Sequence, residues 1–132
     1  MARHLPEGMK IVVSGDPAGQ MEILLTLMGY TGLSYALHDD PALVAAVAEK
    51  GQELLTTVFS TTAQMPGVGA MCLGDDMGFK TATMISPADL HRYVFPCQRR
   101  LAQISHAHNR WTARPAWSIC ARTRYYVMSR WW

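Results

Sequence analysis

Short apolar runs that alternate with well-capped helical patterns constrain this chain most. "KIVVSG" (10–15) is β-branched and ended by Ser14 and Gly15, which predicts a short buried strand. "VGAMCLG" (68–74) follows the turn chemistry of "MPGVG" and predicts a second. A helical pattern follows each. Asp16 and Pro17 suit a helix start, Ile23, Leu24, Leu27 and Met28 share a face, and Gly29 suits the stop. Asp40 as cap and Pro41 at the first position begin a longer helix, with Leu43, Val44, Val47, Leu54, Leu55 and Val58 at helical spacing. Ser86 with Asp89 approximates a capping box, and Pro87 sits just inside it. Leu90, Val94, Cys97, Leu101, Ile104 and His108 form the stripe of that helix, and Pro96 predicts a kink. "RPAWSIC" (114–120) is a third strand candidate. The order predicts an α/β fold with a parallel sheet, whose ligands meet the ends of strands.

Composition divides the chain near Asn109. Residues 1–109 hold three Lys and four Arg against ten acids, a net −3. Residues 110–132 hold five Arg, no acid and all four tryptophans. This predicts a domain over 1–109 and an atypical basic, aromatic tail over 110–132. Arg with Trp suits nucleic acid or an anionic membrane, but no motif for either accompanies it, and neither partner is expected. No apolar run approaches the ~18–20 residues of a membrane span. "MARHLPEGMK" has no signal-peptide core, which predicts a cytoplasmic protein. Cys72, Cys97 and Cys120 are far apart and odd in number, which predicts reduced thiols.

The densest chemistry lies in "GDDMGFKTATMISPADLHRYVFPCQRR" (74–100). Asp75 and Asp76 follow a strand, where a carboxylate can hold a polar or cationic group or move a proton. Lys80, Thr81 and Thr83 lie in the loop beyond, which a solvated surface explains equally well. "GDPAG" (15–19) begins a helix and suits an anion at its N-terminus, without the spacing of a phosphate loop. His106 and His108 point to different faces of a helix and suit its C-terminal dipole rather than a metal.

"LMGYTGLSYALHDDPALV" and "PGVGAMCLGDDMGFKTATMISPADLHRYVFPCQRRLAQISHAH" together resemble the uroporphyrinogen decarboxylase family, with its corrinoid-dependent methyltransferase relatives. The resemblance runs from about Leu5 to His108. It implies a TIM-type barrel, which needs roughly 250 residues, so the chain is expected to be an interior fragment, a partial barrel of about three βα units. It implies decarboxylation of porphyrinogen acetate side chains in porphyrin biosynthesis, with Asp75 and Asp76 as candidate catalytic residues and Lys80 and Thr81 as candidate substrate contacts. The family's N-terminal catalytic aspartate has no counterpart, so this fragment is expected to be inactive. Decarboxylation needs no cofactor. The methyltransferase alternative, on a methylated substrate, implies zinc, yet the corresponding "SICA" (118–121) keeps only Cys120 of that motif. A third alternative is a non-catalytic binding module or gene remnant, self-associating through uncovered sheet edges. The break in composition after His108 suggests a frameshift near codons 109–122.

Overall fold

The computed structural model describes residues 4–14 and 19–113. The order is β1 (Ile11–Val13), α1 (Gln20–Met28), α2 (Tyr30–Asp39), α3 (Pro41–Ala63), β2 (Val68–Cys72), a single turn α4 (Pro87–Asp89), a π-helical turn (Leu90–Val94), α5 (Phe95–Ala107) and β3 (Trp111–Ala113). The strands form one parallel sheet in the order β1-β2-β3.

Local chemistry explains most boundaries. Gly29 takes φ 68° after α1, and its N–H caps the carbonyl of Leu25. The Asp40 side chain accepts from the N–H of Leu43 at 3.0 Å, with Pro41 at the first position of α3. The Ser86 hydroxyl accepts from the N–H of Asp89 at 3.1 Å and donates to its carboxylate at 2.6 Å. Pro96 has no N–H to offer, and the helix before it widens into the π turn over Leu90–Val94 rather than merely bending. The kink is thus a change of winding. The stripe through Leu90, Val94, Cys97, Leu101 and Ile104 is buried as expected, while His108 is exposed.

Sheet register follows from one bulge. Ile11 pairs with Val68, Val12 with Ala70 and Val13 with Met71, so Gly69 is an extra residue on β2. Val68, Met71 and Leu73 then face the same way as Ile11 and Val13, into a cluster with Leu55, Phe59, Leu101 and Ile104 of α3 and α5. Only glycine fits at that bulge, because a Cβ on residue 69 would lie 2.5 Å from the Cβ of Lys10.

The partial TIM-type barrel of about three βα units does not form. The described residues are mostly helical, with strands of three, five and three residues. Three successive helices separate β1 from β2, where a barrel unit has one. A second buried cluster (Met21, Leu24, Leu33, Val44, Ala48, Ile85, Leu90, Tyr93 and Val94) contains no strand residue. Apolar side chains that a barrel would place in strand layers here hold helices to each other. Among the described residues, no helix is long and apolar enough to cross a membrane.

Candidate functional site

Asp75 stands two residues beyond Leu73, where β2 delivers the chain to the N-terminal end of α1. The first N–H groups of a helix have no partner within it. Gly19, the residue before α1, has no side chain to offer them. Asp75 takes that role from 54 residues away. Its Oδ1 accepts from the N–H of Met21 at 3.0 Å and of Glu22 at 3.2 Å, and its Oδ2 lies 3.3 Å from the Met21 nitrogen. From α5, Gln98 Nε2 donates to Oδ2 at 2.9 Å. Asp75 is only 3% exposed. Burial pushes its carboxyl up from the usual range, against the pull of the hydrogen bonds from Gln98, Met21, Glu22 and Gln20.

The chain is shaped around this contact. A Cβ on Gly19 would lie 2.3 Å from Asp75 Cγ and 2.5 Å from both Asp75 Cβ and the Gly74 carbonyl oxygen. Only glycine admits the carboxylate at that distance. Gln20, also buried, donates from Nε2 to the Ala48 carbonyl at 2.7 Å and ties α1 to α3. Gly51 lets the two helices approach, since a Cβ there would sit 3.1 Å from Gln20 Oε1 and from Ile23 Cγ2. Gln20 Oε1 and Gln98 Oε1 are buried with no hydrogen-bond partner among the described residues.

The other candidates do not converge on Asp75. Asp76 is exposed and turns its Oδ1 toward the N–H of Gly78 at 3.4 Å, within its own loop. That loop is a small hairpin. Met84 N–H bonds the Met77 carbonyl, Phe79 N–H bonds the Ala82 carbonyl, and Gly78 bridges Thr83. Lys80 and Thr81 are exposed at its tip. Cys120 lies outside the described residues, as do residues 15–18 of the proposed anion cradle. The anion that α1 does hold is the protein's own carboxylate. Among the described residues, no three His, Cys, Asp or Glu side chains group as a metal site would need.

Gln98 and Gln20 were not among the sequence candidates, and Gly19 appeared only as the last residue of the "GDPAG" anion cradle. A signal existed for Gln98: it lies four residues after Val94 and three before Leu101, a polar residue on a buried stripe. Its neighbour Cys97 is buried, and burial together with the nearby Asp75 charge pushes its thiol up to about 12. A thiol-labelling time course on the folded protein should therefore leave Cys97 unmodified, with modification appearing only in denaturant. Rapid labelling of Cys97 under native conditions would show that this end of the core is open.

Compared with known proteins, the chain matches no family model, no curated protein and no solved structure.

Proposed function

We propose that this chain is a non-catalytic relative of the uroporphyrinogen decarboxylases. The motif over residues 74–100 supports the kinship, and the use made of Asp75 supports the absence of catalysis. Decarboxylating a pyrrole acetate requires a protonated ring as electron sink, and a carboxylate aimed at that ring to stabilise it. Asp75 holds the start of α1 and the amide of Gln98 instead. To reach a substrate it would have to abandon buried donors, at about 1–3 kcal/mol for each one left unsatisfied. Asp76 and Lys80 are exposed on a loop whose tip points no second charged group at them among the described contacts.

Incubating the purified chain with uroporphyrinogen tests this proposal. The expected result is no product above the uncatalysed background. Formation of less carboxylated porphyrinogens, lost on replacing Asp76 by Asn, would contradict it and restore a catalytic role to the strand end.

A further inference from the structure

Helix α3 presents Ala45, Ala48, Glu49 and Gln52 on one face, at spacings of three and four residues. Opposite them lie Arg92 and Tyr93 of the π turn and Pro96 of α5, and a cavity of about 260 Å³ separates the two sets. The sequence explains why space remains there. Alanine gives α3 only a methyl group on this face, and the π turn widens the opposing helix by an extra residue. Turns of that kind inside α-helices are frequent at functional sites.

Two unlike charges face this cavity without meeting. Glu49 and Arg92 both line it, and both are exposed at its rim. Among the described residues the ion pair formed is that of Lys50 with Glu53, so Glu49 and Arg92 do not neutralise each other. Arg92 is held in place by a ring instead. Its guanidinium carbon lies 5.1 Å over the ring centre of Tyr93. Tyr93 is buried, and its hydroxyl donates to the Pro41 carbonyl at the start of α3 at 3.4 Å. A cation fixed before a ligand arrives loses less freedom on binding. Gln52, half-buried on the α3 wall, adds an amide that can donate or accept. We propose that this cavity binds a small aliphatic amino acid as its zwitterion. Arg92 takes the carboxylate, whose two oxygens match the planar fork of a guanidinium. Glu49 takes the ammonium group, and Ala45, Ala48 and Pro96 contact the side chain. A bare anion would leave Glu49 facing like charge, and a bare cation would do the same to Arg92. The two charges together select a ligand that carries both. This inference is independent of the proposed function.

Titrating the isotope-labelled chain with L-leucine, followed residue by residue by NMR, tests the proposal. Two analogues accompany it: isocaproate, which lacks the ammonium group, and isoamylamine, which lacks the carboxylate. The expected result is saturable shifts at the amides of Glu49, Gln52, Arg92 and Tyr93 with L-leucine. Either analogue should bind more weakly by about tenfold or more, because hydrogen bonds to charged groups are the stronger kind. Arg92→Gln and Glu49→Gln should each weaken L-leucine binding to a similar degree, with urea unfolding unchanged, since both side chains are exposed. Absence of a saturable shift at these amides with L-leucine would overturn the inference. So would binding of isocaproate or isoamylamine as tight as that of L-leucine, because one of the two charges would then take no part. Full binding of L-leucine retained in both variants would overturn it as well.

Discussion

Replacing Asp75 with alanine is expected to remove about 2–5 kcal/mol of stability. The loss strands the N–H of Met21 and the amide of Gln98 in a dry interior, and each unsatisfied buried donor costs about 1–3 kcal/mol. Small domains are stable by only about 5–15 kcal/mol, so much of the chain's stability rests on this one side chain. Urea unfolding followed by circular dichroism measures the change. Asp75→Asn should lose less, about 1–2 kcal/mol. Its Oδ1 still accepts from α1, and its amide can donate to Gln98 Oε1, which has no present partner, once the Gln98 amide turns over. A carboxylate kept for chemistry behaves differently. Its removal typically leaves stability unchanged or improved, because functional sites hold strain that the fold does not need.

The second large effect is expected at Gly19. Its Cβ would meet the Asp75 side chain and the Gly74 carbonyl oxygen, all at 2.5 Å or less. Backbone and a pinned carboxylate have little room to give, so Gly19→Ala should cost about 2–4 kcal/mol by overpacking. The backbone angle is not the cause, because φ at Gly19 is −167°, an extended conformation open to any residue. Gly32 makes the internal control. It lies within α2, and a Cβ there would meet nothing within 4 Å. Gly32→Ala should gain about 0.5–1 kcal/mol through helix propensity alone. Opposite signs at the two glycines would tie the Gly19 loss to crowding at Asp75. Equal behaviour would contradict that crowding.

What the sequence made legible follows from what local signals encode. The caps at Asp40 and Ser86, the prolines at 41 and 87 and the stop at Gly29 act through neighbours within four residues, and each appears where expected. The start expected at Asp16 and Pro17 lies outside the described residues, and α1 begins at Gln20. Helix α2 was not foreseen. Only Leu33 among its ten residues is buried, so no apolar stripe announces it. Strands β1 and β2 fall where expected, but β3 (Trp111–Ala113) was not foreseen, the 114–120 candidate lies outside the described residues, and the strands were assigned to the wrong architecture. Strand and helix order resembles a barrel's, while the helix-only cluster around Leu24, Leu33 and Val44 is a fact of tertiary packing. The surroundings of Asp75 were hidden for a related reason. A carboxylate after a strand looks the same in sequence whether it meets a substrate or a helix. Only the fold brings Met21 and Gln98, 54 and 23 residues away, to its oxygens. Gly19 carried the missing clue, a residue without Cβ at the helix start, but its reason became visible only once Asp75 lay against it.

Amide hydrogen exchange at Met21 and Glu22, measured residue by residue on the unaltered protein, tests the central claim most directly. Amides in the first turn of a helix ordinarily lack a partner within it, and open ones exchange at the low end of local stability. Held by the buried Asp75 carboxylate, these two should be protected to the same degree as the middle of α3. Exchange at both positions as fast as at an open helix start, in a chain otherwise well protected, would contradict the claim that Asp75 is an internal tie.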